Sequence, residues 1–380
     1  MQSNEPFYDI AVIGGGLAGL ALAIQGAQKG FSVALFEKEE YPFHKVCGEY
    51  ISLESWEFIT SLGLDLSSMQ LPIIKKLIVT SPNGNVLNQN LPLGGFGISR
   101  YLLDNELKKI AHSLGVHIYE NSKVDGVVFL HESVMLYVGN QKFSSKVCCG
   151  AFGKKSNIDV KWHRDFIDDR PNKLDNFIGV KYHITTTFDV DTIALHNFEG
   201  GYCGISKIER DKYCLCYLTT AKNLKDNGNS IEKLEKNILH QNPHLKKIFT
   251  ESEFLFNKPL VISQISFSKK TQVENNVLLL GDAAGMITPL CGNGMSMALH
   301  SSKIAMNLIH QFLTTKISRI EMETQYQSEW NTLFAKRLKT GRFVQKLFGK
   351  IWLTNFFISC MKTFSFLPNW LIKKTHGKPF

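Results

Sequence analysis

The stretch that decides the fold is Tyr8-Asp-Ile-Ala-Val-Ile13, then Gly14-Gly-Gly-Leu-Ala-Gly19, a helical run to Lys29, Gly30, and Phe31-Ser-Val-Ala-Leu-Phe36-Glu37. The first apolar run reads as a buried parallel strand. Leu20, Leu22, Ala23, Ile24 and Ala27 then give the next segment one apolar helical face. Gly14, Gly16 and Gly19 match the tight turn, the close approach of a pyrophosphate and the close strand–helix contact of a βαβ nucleotide site. The helix opening there aims N–H groups and a partial positive charge at phosphates, and Gly30 suits its left-handed stop. Glu37 ends the second strand, where a carboxylate accepts from a ribose hydroxyl. The same charge disfavours a 2′-phosphate, so NADP is not expected as the resident ligand. Strand, helix, strand and acid in this order specify a dinucleotide site and leave FAD and NAD both open.

The remaining composition sets the frame. A chain of 380 residues has room for two or three domains. Apolar and charged contents of 44% and 20% are those of a globular protein. The short polar Met1–Pro6 runs straight into the strand, so no cleavable signal is expected. Cys47, Cys148, Cys149, Cys203, Cys214, Cys216, Cys291 and Cys360 form no CxxC pair. They suit a reducing cytosol, with neither a disulfide framework nor a metal site expected. The net charge of +9 is concentrated in one segment. From Trp330 onward there are Lys336, Arg337, Lys339, Arg342, Lys346, Lys350, Lys362, Lys373, Lys374 and Lys378, and no acid. The rest of the chain is nearly balanced, which argues against a general nucleic-acid surface and for a local anionic partner.

Along the chain, a helix is expected from Ser52 to Leu62, and a hairpin of Lys75–Thr80 with Val86–Leu91 around Ser81-Pro-Asn-Gly84. Ser99 suits the N-cap of a helix that Gly115 stops. Short strands are expected at Val116–Tyr119, Val124–Leu130, Val134–Val138 and Lys142–Cys149. The texture then turns to strands at Phe177–Ile184, Thr192–Asn197, Tyr202–Ile208 and Tyr213–Thr219, with a helix from Ser230 bounded by Pro243. A buried strand, Val277–Leu280, re-enters the first domain. The expected fold is α/β: a Rossmann-like nucleotide-binding domain (1–70, 97–157 and 273–325), an inserted, mainly antiparallel β-sheet substrate domain (71–96 and 158–272), and a C-terminal helical segment (326–380).

A second motif follows that strand: Gly281-Asp282-Ala-Ala-Gly285-Met-Ile-Thr-Pro289-Leu-Cys-Gly292-Asn-Gly294-Met-Ser-Met-Ala298. It resembles the GD motif of flavoproteins related to p-hydroxybenzoate hydroxylase, and its Ala-Gly after the aspartate is similar to the geranylgeranyl reductase and flavin halogenase branch. Lys45-Val-Cys-Gly-Glu49, Arg100-x-x-x-Asp104-x-x-Leu107 and Gly150-x-x-Gly153-x-x-Ser156 agree in order and spacing, so the resemblance covers residues 7 to 312. It implies FAD. Gly14, Gly16, Ala18, Gly19 and Glu37 would meet the ADP half, with Val124 offering backbone to the adenine. Arg100 would lie along the pyrophosphate or ribityl chain, and Asp282 would accept from a ribityl hydroxyl. Gly294 and Met295, at a helix start, would stabilise the negative charge of the reduced flavin. Cys47 and Gly48 would lie near the flavin, with Cys47 the one candidate catalytic residue, touching substrate or donating a proton; the alternative is an inert core thiol.

The departures from the branch bear on substrate. The halogenase WxWxIP string is absent, and Gly200-Gly-Tyr202-Cys-Gly-Ile-Ser-Lys-Ile-Glu209 stands where reductases carry a YxWxFP-like motif. Tyr202 is therefore either a substrate contact or a core residue. The expected activity is that of an FAD-dependent oxidoreductase on a lipophilic small molecule, reducing C=C by hydride from reduced FAD. A flavin monooxygenase, or a non-catalytic flavin-binding or membrane-associated protein, are the alternatives. With no second complete GxGxxG, NAD(P)H would dock transiently or an electron carrier protein would serve. In the tail, Phe343, Leu347 and Ile351 share one helical line, Val344, Phe348 and Trp352 the next, and Phe356, Phe357, Phe364, Phe366 and Trp370 follow among lysines. The tail is expected either to cap the fold or to touch a membrane surface. The run Ile351–Met361 is too short to span a bilayer, so the expected location is the cytoplasm, with peripheral membrane contact as the tail's alternative.

Overall fold

A computed structural model describes residues 5–168, 177–288, 292–347, 351–363, 366–375 and 377–380. Pro289 of the GD stretch, Cys291, and Phe348, Lys350 and Phe364 of the tail lie outside the described residues. The chain opens as its apolar pattern dictates, with strand β1 (Phe7–Ile13), helix α1 (Leu17–Gln28) and strand β2 (Val33–Phe36). Every residue of β2 is buried, which is why it reads as a continuous apolar run. Helix α2 (Arg100–Ser113) is capped by the Ser99 hydroxyl, which accepts from the Leu102 N–H. It leads to His117–Tyr119 and later to strand β3 (Gln141–Gly150).

These strands build the first sheet, in the order Val273–Glu274, Val277–Leu279, β3, β1, β2, His117–Tyr119. Its centre is parallel, and a hairpin of Gly126–Leu130 and Ser133–Val138 lies against β3. Two expectations shift here. The strand expected from Val124 begins at Gly126. The helix expected from Ser52 begins at Trp56, because Tyr50–Ser52 is a strand and the Ser52 hydroxyl caps a short 3-10 turn by accepting from the Glu54 N–H.

The second sheet is mostly antiparallel. It contains β4 (Phe177–Thr185), β5 (Thr192–Phe198), β6 (Gly201–Lys207) and β7 (Tyr213–Thr220), side by side in the order β4, β7, β6, β5. Ile73–Thr80 joins β5 in parallel, followed by Val86–Gly97 and Tyr50–Ser52. The segment after Cys47 therefore passes directly into the second sheet, within the 1–70 span expected in the first domain. Strand alternation gives the sheet two different faces. One face carries Val180, Tyr182, Ile184, Leu215, Tyr217, Cys203 and Ile205, most of them packed with Leu234, Leu239, Leu245 and Ile248 of the following helices. The other face runs in three rows by register: Gly179–Leu218–Tyr202, Lys181–Cys216–Gly204 and His183–Cys214–Ser206. This face looks at the first domain.

Helix α3 (Gly294–Leu313) returns to the first domain and packs on α1. Helix α4 (Arg319–Leu347) buries Met322, Tyr326, Trp330, Phe334 and Leu338, every fourth residue, in the core of that domain. Helices α5 (Ile351–Thr363) and α6 (Phe366–Thr375) complete the chain. Part of the tail is thus a cap on the fold, as one of the two expectations has it. No helix of the described residues is long and apolar enough to cross a membrane.

Candidate functional site

The glycine turn between β1 and α1 is made by close packing. A Cβ on Gly19 would stand 2.0 Å from the Gly14 carbonyl oxygen, so only glycine lets helix meet strand there. Gly16 differs. Its backbone is extended, and the nearest atoms to a Cβ would be Arg100 Nη2 at 3.7 Å and Lys45 Nζ at 3.8 Å. The space over Gly16 is a cradle between two cations and the start of α1. That start is buried at Leu17, Ala18 and Gly19 and has no side-chain cap, and buried N–H groups at a helix start require an acceptor from elsewhere. Glu37, also buried, accepts from the Gly15 N–H at 2.8 Å and the Glu39 N–H at 3.1 Å.

The Arg-x-x-x-Asp spacing puts both side chains on one helical face. Asp104 takes Arg100 in two bonds of 2.7 and 2.6 Å and Lys45 at 3.1 Å. Burial opposes the charge on Asp104, but Arg100 and Lys45 together hold its carboxyl below the usual range. Two cations on one carboxylate leave a net positive charge facing Gly16, suited to a diphosphate.

The GD stretch lies beside the start of α1, where a Cβ on Gly281 would come 3.5 Å from the Ala18 side chain. Asp282 sits in a 3-10 turn, Gly281–Ala283, and burial raises its carboxyl against the pull of Lys270, Arg100 and Lys154. Lys270 donates to the Asp282 carbonyl at 2.7 Å and the Lys154 carbonyl at 2.6 Å, tying the Gly150–Ser156 turn to the GD stretch. Arg164 adds bonds to Asp159 at 2.6 Å and to the Ala283 carbonyl at 3.1 Å. Burial brings the Lys154 ammonium down to about 8, against the field of Asp282. Helix α3 starts at Gly294 and Met295, again with no side-chain cap. Val124 is buried, and its carbonyl accepts from the Asn157 side chain at 3.3 Å.

Cys47 links the second sheet to the start of α3. Its sulfur lies 3.5 Å from the Met295 sulfur, and its carbonyl accepts from the Cys214 thiol at 3.2 Å. Burial raises the Cys47 thiol above its usual range, with Arg100 pulling the other way, so it stays protonated at neutral pH. Next to it, the wholly buried Glu49 is gripped by the second sheet. It accepts from Lys181, from His183 Nε2 at 2.7 Å and from the Arg100 N–H at 2.8 Å. Lys181 also donates to the Lys45 carbonyl at 3.1 Å. Burial penalises Glu49, yet the bond from His183 and the charge of Lys181 hold its carboxyl low. Ligand-type atoms of Glu49, His183 and Cys214 lie within 4.8 Å of one another, but the cation Glu49 holds there is the Lys181 ammonium.

Tyr202 is 6% exposed and clusters with Leu218, Ile265 and Met286, the last from the GD stretch. Cys47, Arg100, Met295 and Tyr202 therefore lie on elements that converge between the sheets, while Glu37 lies at the far end of the glycine turn. Glu49, Lys181 and His183 are the residues that motif reasoning missed. The signal was present in β4, Phe177-Ile-Gly-Val-Lys-Tyr-His-Ile184, where two polar residues at strand spacing interrupt an apolar run. Such residues need buried partners.

The uncapped helix starts, the cationic cradle over Gly16 and the buried acid at the end of β2 fit FAD. They define the class: an FAD-dependent oxidoreductase. Comparison with known proteins agrees. The FAD binding domain model matches residues 9–45, and the squalene epoxidase model matches residues 160–351. That second match spans half of the chain, and the chain belongs to the family it describes. A digeranylgeranylglycerophospholipid reductase from Methanococcus vannielii is 25% identical, over 91% of this chain and 89% of that protein. Conditioned medium factor receptor 1 from Dictyostelium discoideum is 24% identical, over 87% of this chain and 69% of its own. The solved structure of a flavin-dependent brominase has the same fold, with a TM-score of 0.77 at 19% identity, covering 97% of this chain and 93% of that one.

Proposed function

We propose that the protein saturates a C=C bond of a lipophilic small molecule, an isoprenoid or comparable lipid. The observation that carries this is the placement of the Cys47 thiol, whose sulfur lies 3.5 Å from the Met295 sulfur at the start of α3. Bound FAD, when reduced, supplies a hydride. Saturation then needs one proton on the neighbouring carbon, and Cys47 holds one where substrate meets the second sheet. Tyr202, Leu218, Ile265 and Met286 form the apolar wall against which the hydrocarbon lies. Arg100, Lys45 and the start of α1 hold the diphosphate, Glu37 the ribose, and Asp282, Gly294 and Met295 the flavin end. Electrons come from NAD(P)H docking transiently or from a carrier protein. The reductase relative supports this reading. The squalene epoxidase family match favours a second one, oxygen insertion at the same site.

The test is a single-turnover reaction of photoreduced holoprotein with a geranylgeranylated glycerophospholipid. Anaerobic formation of product heavier by two hydrogens, slowed at least tenfold in Cys47→Ala with FAD content unchanged, is the expected result. Oxygen-dependent product heavier by one oxygen atom, with none formed anaerobically, would establish the second reading instead.

A further inference from the structure

We infer that Glu209, in the turn between β6 and β7, is a positioning residue for FAD: it holds the start of α2 and so aims Arg100 at the diphosphate. The inference rests on the FAD site described above, and not on which reaction that site performs.

Glu209 comes to α2 from the other sheet. The turn after β6 closes with the Ile208 N–H donating to the Lys212 carbonyl at 2.9 Å, and Arg210 takes a left-handed backbone with φ of 60°. Residues other than glycine adopt that conformation chiefly in tight turns. The end of β6 packs hard against the chain that enters α2, because a Cβ on Gly97 would collide with the Lys207 carbonyl. The Glu209 carboxylate then meets Ser99, accepting from its N–H at 2.7 Å and from its hydroxyl at 2.6 Å. Ser99 caps α2 by itself through the Leu102 N–H, so the helix has its local cap without Glu209. The carboxylate is 7% exposed, and burying it costs free energy that a local cap does not require. What it adds is an anchor in a different domain.

Glu209 shares this task with Glu49. Three successive N–H groups leading into α2 end on acceptors from distant segments. Ile98 donates to the Glu49 carbonyl at 3.1 Å, Ser99 to Glu209, and Arg100 to the Glu49 carboxylate at 2.8 Å. Two carboxylates from different elements on neighbouring N–H groups fix the first turn of α2 in rotation as well as in position. Arg100 is the first residue of that turn, at the helix end where the dipole disfavours a cation. The carboxylates offset that cost, and Asp104 then directs the guanidinium toward Gly16. Asp104 also holds Lys45, so a shift at the start of α2 moves both cations of the cradle. Of the two anchors, Glu49 also serves Lys181 and His183, whereas Glu209 serves Ser99, with Lys212 of its own turn at 3.5 Å. Glu209 is therefore the cleaner place to test the clamp.

The test is a double-mutant cycle of Glu209→Ala with Arg100→Met, read as FAD affinity by equilibrium dialysis. Glu209→Ala should weaken FAD binding about tenfold in the parent. In the Arg100→Met background it should cost about twofold at most, because a misaimed guanidinium and a missing one are equivalent to the diphosphate. A merely structural role would weaken binding equally in both backgrounds. That result would overturn the inference, as would unchanged affinity in Glu209→Ala. Glu209→Gln keeps an acceptor for the Ser99 N–H and should fall between the parent and the alanine variant. It carries the same cycle if the alanine variant does not fold. A glutamine variant that binds FAD no better than the alanine variant, or one that alone folds and binds as tightly as the parent, would also overturn the inference. Parent protein that takes up no FAD would remove the cofactor reading, and this inference with it.

Discussion

Around Gly16, the groups that face the turn come from short stretches: Glu37 from the end of β2, Lys45 from the segment that follows it, and Arg100 with Asp104 from one turn of α2. Around Cys47 they come from far apart. Lys181 reaches back 136 residues to the Lys45 carbonyl, His183 reaches back 134 to Glu49, and Met295 comes from the start of α3. The turn needs backbone geometry and a local charge pair. The Cys47 end needs two sheets to be docked correctly before any of its groups is in place. A cofactor handle can therefore be carried by a motif, whereas a reaction centre between two domains depends on the packing between them.

The sharpest way to break that comparison is at two glycines three residues apart. In Gly19→Val the new side chain meets the Gly14 carbonyl at 2.0 Å, within the backbone itself. Gly16→Val meets only the ends of the Arg100 and Lys45 side chains, at ordinary contact distance for its Cβ, and takes the room that the cofactor needs. Gly19→Val should yield little soluble protein. Gly16→Val should be soluble, with a normal far-ultraviolet circular dichroism spectrum, and colourless. A yellow Gly16→Val protein with full FAD content would mean that the cradle over Gly16 is not where the diphosphate lies.

The next largest effect belongs to the other end. Lys181→Met leaves Glu49 buried without its cation, a change that costs about 3–5 kcal/mol in comparable buried pairs. The sign with pH follows from the low carboxyl of Glu49. Its pairing stabilises the fold above the carboxyl's unfolded value and is lost as pH falls through the folded one. Without Lys181 the carboxyl titrates higher, so urea midpoints of the variant should fall off at a less acid pH than those of the parent. Equal midpoints across the acid range would show that His183 and the Arg100 N–H suffice.

At the turn, Asp104→Asn keeps the shape but weakens the hold on Arg100 and Lys45. Charge-assisted bonds of this kind are worth about 1.5–3 kcal/mol, so FAD affinity should drop roughly tenfold to a hundredfold, with stability less affected. Titration of FAD into apoprotein, followed by flavin fluorescence, reads this directly. Tighter binding instead would mean that freeing both cations matters more than aiming them.

What was legible in the sequence divides along the same line. The βαβ unit, the Ser99 cap and the strands of the second sheet follow from local periodicity and capping, and the structure contains them. Arg100, quoted for its motif, has the partner that its spacing demands. Glu49 was visible only as the last letter of Lys45-Val-Cys-Gly-Glu49, because neither its burial nor its partners are local. The same holds for Tyr50–Ser52, whose strand character comes from pairing with Val86–Gly97 and overrides the helical pattern beginning at Ser52. Trp330 is another case. It packs against the position of Gly285, where a Cβ would come within 2.7 Å of its ring, and nothing in either residue's neighbourhood announces the other.

The smallest effect separates two buried carboxylates five residues apart. Glu49 has a lysine, a histidine and a backbone N–H. Glu54, 1% exposed, has the guanidinium of Arg337 at 3.6 Å, and burial raises its carboxyl despite that cation. The sign is the reverse of that for Glu49. A carboxyl whose folded value is raised favours the fold in its protonated form, and this contribution is lost as pH rises through the folded value. Glu54→Gln keeps the shape without the charge. Its melting temperature should therefore match the parent in acid and exceed it slightly at alkaline pH, by the equivalent of about 1 kcal/mol. A variant less stable than the parent at alkaline pH would show that the bond to Arg337, which helps seat α4 against the first domain, outweighs the cost of burying the charge. Glu54 would then belong with Glu49 as a staple between elements distant in sequence.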